Sequence, residues 1–208
     1  GQEGTWNIVT VYGPTSQCSD AEKDHFWEEL QAIYDSYPSD SMTVIIGDFN
    51  SRIGSRVTQD GDELREVIGP HGLGPRNANG GALLQFCVQN QLRGEHTFHP
   101  HPVSQKATWY HPRFGNPGVI DMALVQRSRA KFAADVRVLP SVDTCSDHKL
   151  CRLKLVQVPE TAWAQRPKSA AAGRPRRLPV DLVGEDFTKA VDEALRDIHD
   201  MEEAQRRL

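Results

Sequence analysis

The sequence has no apolar run near the ~18–20 residues a membrane-spanning helix needs. It also has no surplus of positive charge. Lys and Arg number 24 against 28 Asp and Glu, a formal net charge of −4. A chain that coats nucleic acid by counterion release carries clustered Lys and Arg, so that class is excluded. The four cysteines, Cys18, Cys87, Cys145 and Cys151, contain no C-x-x-C pair and match no zinc-module spacing. Cys87 follows Leu83-Leu84-Gln85-Phe86, and Cys151 stands between Leu150 and Arg152-Leu153. In such apolar settings a reduced thiol packs as a small hydrophobe. Secreted chains of this length usually carry a disulfide framework, so the expected compartment is nuclear or cytoplasmic. There is no internal repeat, and 38% hydrophobic residues is too many for a wholly disordered chain. What remains is a globular protein of 208 residues, one domain with an appendage.

Composition divides the chain. Residues 1–158 alternate apolar runs with Gly, Pro, Asn and Asp. Residues 159–180, with Arg166-Pro167-Lys168 and Arg174-Pro175-Arg176-Arg177, read as a solvated linker of charge +4. Residues 181–208 carry Leu182, Phe187, Val191, Leu195 and Ile198 at helical spacing, which predicts an amphipathic helix of charge −5. In the first part, Asn7 to Tyr12 reads as a strand stopped by Gly13-Pro14, and Ser19 as the cap of a helix through Tyr37. Thr43-Val44-Ile45-Ile46 reads as a strand buried on both faces, and Leu83 to Leu92 as a second helix. Thr108 to Tyr110, Val119 to Val125, Asp135 to Leu139 and Leu150 to Val158 read as further strands. A mixed sheet system with helices outside follows.

Three short constellations carry chemistry. In Ile45-Ile46-Gly47-Asp48-Phe49-Asn50, a buried strand ends in Gly, and an acid and an amide follow two residues apart on one side of the extended chain. The carboxylate supplies charge or basicity, and the carboxamide a neutral donor to a phosphoryl oxygen. Alone, the pair also reads as turn residues. Asp121 interrupts the apolar run Val119 to Val125, and a carboxylate buried there needs a partner unless it lies exposed at a strand edge. Ser146-Asp147-His148 places two titratable groups at the entrance of a strand. His148 there donates to a phosphate, or acts as base if a carboxylate such as Asp121 holds its other nitrogen. A fourth group, His96, His99, His101 and His111, suggests a metal cluster. Its prolines imply an irregular loop, however, and no Cys or carboxylate has ligand spacing.

In this order, each at a strand end, these constellations resemble the endonuclease/exonuclease/phosphatase superfamily, which includes apurinic endonucleases, DNase I and LINE-type retrotransposon endonuclease domains. Tyr12-Gly13-Pro14 ahead of them and Thr108-Trp109 before Asp121 add to the pattern. The retrotransposon group is nearest in look, through Arg76-Asn77-Ala78-Asn79-Gly80, Leu83 to Cys87, Thr97-Phe98 and Ala107-Thr108-Trp109. The resemblance covers residues 5–157. It implies a DNase I-like α/β fold, a two-sheet sandwich with helices on the outer faces in four layers, α/β/β/α, followed here by the C-terminal helix. The family places an Asn and a Glu of its metal site ahead of the Tyr segment. Only eleven residues precede Tyr12 here, so the resemblance implies a domain incomplete at its N-terminus.

By resemblance, Asp48 positions or activates the attacking water and Asn50 holds the scissile phosphate. His148 acts at the phosphate, Asp121 orients it, and Tyr12 contacts the phosphate. Asp147 is the metal-associated acid, joined by Asp48 and Asn50. The implied cofactor is Mg²⁺, with Mn²⁺ as a substitute, since both prefer hard oxygen ligands. The implied partner is DNA, with no membrane, and the implied continuation is a reverse transcriptase domain. The expected activity is Mg²⁺-dependent phosphodiester hydrolysis by a retroelement-type DNA endonuclease. Two alternatives stay open: a sister enzyme on an inositol phosphate, a sphingolipid or an RNA tail, and a non-catalytic remnant acting as an interaction module through residues 181–208.

Overall fold

The structure, a computed structural model, describes residues 6–142 and 145–156. The expected linker and C-terminal helix lie outside the described residues. The β-branched segment after Asn7 forms β1 (Trp6–Tyr12). Ser19 opens α1 (Asp20–Asp35) with a capping box, in which its hydroxyl accepts from the Glu22 N–H and the Glu22 carboxylate accepts from the Ser19 N–H. The helix stops two residues before the expected Tyr37, with Ser36 as its C-cap. β2 (Met42–Asp48) then crosses the core.

The second helix differs from the sequence expectation at both ends. It runs as α2 (Ala78–Gln89), and Asn77 caps it by accepting from the Gly80 N–H at 2.8 Å. The weak helix formers Asn79-Gly80-Gly81 conceal this start from a propensity reading. Gln91 adopts φ 53°, which turns the chain out of the helix, and Leu92 opens β3 (Leu92–Gly94). A short hairpin follows, β4 (Trp109–Tyr110) and β5 (Pro117–Gly118). β6 (Asp121–Gln126), β7 (Ala133–Val138) and β8 (Cys151–Leu155) complete the described strands.

Four strands form one sheet in the order β1-β2-β6-β3, with β1 parallel to β2 and the other neighbours antiparallel. β7 and β8 pair antiparallel in a second sheet. Alternation along the strands sorts the core into two layers. Met42, Val44 and Val125 pack on Phe132 and Ala133, with Ile46, Leu153 and Leu155 beside them. Val9, Ile45, Met122 and Leu124 point the other way and pack on Leu30 of α1 and Leu83 and Phe86 of α2. The result is the expected two-sheet α/β sandwich, with both described helices on the outer face of the four-stranded sheet.

One charge network lies inside it. Glu95 has 0% exposure and accepts two hydrogen bonds from Arg93 at 2.6 Å, with His99 at 3.1 Å. Burial alone would raise the Glu95 pKa, but the bonds from His99 and Arg93 outweigh it and hold the carboxyl below its ordinary range. His101 meets Asp135 of β7 at 2.6 Å. The cysteines are free: Cys87 is buried and Cys151 half-buried, and burial pushes the Cys151 thiol up to about 12.

Candidate active site

Strand register builds the site. Tyr12, the last residue of β1, lies opposite Asp48, the last of β2, and Asp48 lies opposite Asp121, the first of β6. Cross-strand partners share a face, so three strand ends deliver their side chains to one edge of the sheet. Gly47 permits this convergence: at φ 140° a Cβ there would stand 2.0 Å from the Val11 carbonyl oxygen. His148 arrives from the second sheet's loop, held by an antiparallel bridge to Trp109 and by the Lys149 N–H on the Thr108 carbonyl. Its Nδ1 lies 3.0 and 3.2 Å from the two Asp121 carboxylate oxygens, and its Nε2 lies 4.0 Å from Asp48 Oδ2. Ligand atoms of Asp48, Asp121 and His148 all fall within 4.8 Å of one another.

Asn50 sits beside them in the left-handed region at φ 47°. Its N–H donates to Asp48 Oδ1 at 2.7 Å, and its carboxamide donates to the Gly13 carbonyl at 2.9 Å. The side-chain carbonyl oxygen of Asn50 makes no hydrogen bond among the described residues. Burial raises the Asp48 pKa most. The Asn50 N–H and His148 work against that, and the nearby Asp121 and Asp147 carboxylates add to it. Among the described residues no Lys or Arg pairs with Asp48, Asp121 or Asp147.

The structure thus brings Asp48, Asn50, Asp121 and His148 together. Tyr12 reaches the same edge and is 75% exposed. Asp147 is exposed and accepts from the Trp109 indole N–H at 2.9 Å, a bond that lowers its pKa. Two supporting residues were visible in the sequence only as part of a familiar cadence. Thr108, 1% exposed, accepts at its hydroxyl from the Ile120 and Asp121 N–H groups, both at 3.1 Å, which fixes where β6 begins. Trp109 anchors the Asp147 loop. The histidines of the expected loop take structural roles: His99 and His101 pair with Glu95 and Asp135, and burial pushes His96 down to about 4.

A groove of about 410 Å³, lined by Thr10, Ile46, Ala123, Leu150 and Leu153, opens beside Asp121 and His148. No helix of the described residues is long and apolar enough to cross a membrane.

Two facing sheets with helices outside, and carboxylates and an imidazole gathered at the strand ends, define the DNase I-like class of α/β sandwich. The model of the Endonuclease/Exonuclease/phosphatase family matches residues 3–148, and the chain belongs to that family. It is 30% identical over 165 residues to craniofacial development protein 2 of Bos taurus, across 77% of this chain and 27% of that protein. The chain therefore spans about a quarter of the length of the curated relatives it matches. Among solved structures it is similar to the 3′ phosphatase NExo from Neisseria bound to a product DNA hairpin. The identity is 19% and the TM-score 0.52, over 72% of this chain and 61% of that one. The endonuclease domain of TRAS1, a telomere-specific non-LTR retrotransposon, gives 14% identity and a TM-score of 0.44, over 64% and 51%.

Proposed function

We propose that this chain carries the phosphoester-handling site of a metal-dependent phosphodiesterase that cuts DNA as a retroelement-type endonuclease. The observation that carries the reading is the Asp121–His148 pair aimed at Asp48 from adjoining strand ends. Asp121 holds Nδ1 of the imidazole, and Nε2, on the Asp48 side of the ring, carries a proton toward a phosphoryl or leaving-group oxygen. Asp48, its pKa raised by burial and by neighbouring acids, suits proton transfer from an attacking water. Asn50, tied back to Gly13, offers its remaining N–H to the phosphate. Tyr12 offers its exposed phenol on the same side.

The donors around Asp48 fit a hard divalent cation: its own carboxylate, that of Asp121 and the Asn50 carbonyl, with Asp147 nearby. Mg²⁺ or Mn²⁺ bound there would neutralise charge on the phosphoryl group.

Support for a nucleic acid comes from the β4–β5 hairpin. His111 lies 5.5 Å from Trp109 and 4.7 Å from Phe114, itself 63% exposed, and the Arg113 guanidinium stands 5.4 Å over the Phe114 ring. Aromatic and guanidinium surfaces stack on bases of any sequence. The ladder begins at Trp109, whose indole is bonded to Asp147, so it leads from the site outward.

The test is a panel of phosphoesters with Mg²⁺ and with Mn²⁺: supercoiled plasmid, an inositol phosphate, sphingomyelin and a polyadenylate. Plasmid nicking that His148→Ala abolishes is the expected result. Hydrolysis of a non-nucleic substrate with the plasmid left intact would sink the DNA reading.

A further inference from the structure

The segment Asn77-Ala78-Asn79-Gly80 is not used by the chemistry described so far, yet its side chains reach the loops that bear the site. Asn79, in the first turn of α2, donates from one carboxamide nitrogen to two carbonyls, Pro14 at 3.0 Å and Asn50 at 3.2 Å. These carbonyls belong to loops that follow different strands, β1 and β2. Asn77 grips the second loop a little further on. Its Oδ1 accepts from the Arg52 N–H at 2.9 Å, while its own N–H donates to the Arg52 carbonyl at 3.0 Å. The two loops also touch directly, for a Cβ on Gly13 would stand 2.7 Å from the Phe49 carbonyl oxygen.

We propose that Asn79 is a positioning residue for the active site, its carboxamide locking the loop after β1 to the loop after β2. Nothing else among the described residues bonds both the Pro14 and the Asn50 carbonyls. The lock bears on chemistry because Asn50 is held in left-handed backbone and its side chain is aimed by the Gly13 carbonyl, one residue from the Pro14 tether. If the loops slide apart, the Asn50 carboxamide loses its anchor on the Gly13 carbonyl. Asn suits the position because a single planar NH₂ serves two acceptors at once. Asp is isosteric but turns only acceptors toward those carbonyls. The effect on catalysis rests on the reading of Asp48 and Asn50 as a phosphoester site, whereas the effect on the loops does not.

The experiment uses the 208-residue chain with Asn79→Ala, Asn79→Asp and Asn79→Gln. Amide exchange of Asn50 and Gly13, and the Asn50 side-chain NH₂ signals, are read by NMR beside plasmid nicking. In Asn79→Ala and Asn79→Asp both amides, which themselves donate to Asp48, should exchange about tenfold faster, because losing the Asn79 tether eases loop opening by about the net strength of an ordinary hydrogen bond. Exchange in the Leu30 and Leu83 helices should stay as in the wild type, and Asn79→Gln, which keeps the donor, should recover part of the protection. Where the wild type nicks DNA, kcat should fall about 10²-fold with KM little changed, as for a misplaced catalytic group. Unchanged Asn50 and Gly13 exchange in Asn79→Asp would overturn the proposal, whatever the activity. Should Asn79→Ala unfold, wild-type protection in Asn79→Asp still overturns it and selective loss there still supports it. Faster exchange with a wild type inactive on every phosphoester leaves the lock standing and removes the site reading instead.

Discussion

Replacing Asp121 by Asn preserves the shape of the side chain and removes its charge, which separates what the carboxylate does for stability from what it does for chemistry. Its oxygens lie 3.0 and 3.2 Å from His148 Nδ1, and the two side chains are 21% and 31% exposed. A charge-assisted hydrogen bond in such partial burial contributes roughly 1.5–3 kcal/mol. If that energy is realised when His148 carries its proton, its loss slows turnover roughly 10- to 150-fold. An amide can also present its NH₂ to Nδ1 and favour the wrong tautomer, and a comparable change elsewhere costs up to about 10⁴-fold. Stability should move little, because the same substitution relieves the repulsion that Asp121 imposes on Asp48. A net change within about 1 kcal/mol moves the melting temperature by no more than about 4 °C for a domain near 150 residues. Single-turnover nicking and a thermal melt on the same preparation provide the assay. A rate within about threefold of the wild type would refute the orienting role, as would a rate lost only in step with folding.

Glu95→Ala strands Arg93 without its buried partner, and a melt should show a loss of about 3–5 kcal/mol, or roughly 6–20 °C. Acid should act through the same kind of group: Glu95, Asp60 beside Arg76 and Asp135 beside His101 are held below their ordinary range, so each adds stability above its unfolded pKa. Urea midpoints should therefore hold from pH 7 to about 5 and fall below about 4, as pH drops through the folded values; midpoints level down to pH 3 would contradict this. Phe114→Ala removes an exposed ring, so stability should stay within about 0.5 kcal/mol. Its binding to single-stranded DNA should weaken by about 1–3 kcal/mol, read by fluorescence anisotropy.

Strand ends and caps were legible in the sequence because their signals are local. The β-branched run ending at Gly13-Pro14 gave β1, and Ser19 gave the start of α1. The start of α2 was not, since Asn79-Gly80-Gly81 opposes a helix and only the Asn77 cap and tertiary packing on Ile45 and Leu124 overcome it. The site showed the same division. Asp48, Asn50, Asp121 and His148 could be picked out as chemically odd residues at strand ends, but the register that sets Asp48 against Asp121 depends on antiparallel pairing of segments more than seventy positions apart. Asp147 looked like a partner of the metal group from its place beside His148. One of its carboxylate oxygens accepts from the Trp109 indole, 38 positions away in the chain, a partner its place beside His148 did not announce. Long-range hydrogen bonds of this kind leave no periodic trace in one sequence.

In the proposed function Asp48 and His148 act as one unit on a phosphodiester. A double-mutant cycle on Mg²⁺-dependent plasmid nicking tests it most directly, with Asp48→Ala, His148→Ala and the pair together. Each single variant should lose at least about 10²-fold, and the double should lose little more than the worse single, since groups serving one transition state are strongly non-additive. Additive losses, or a wild type that cuts no phosphodiester with Mg²⁺ or Mn²⁺, would contradict it.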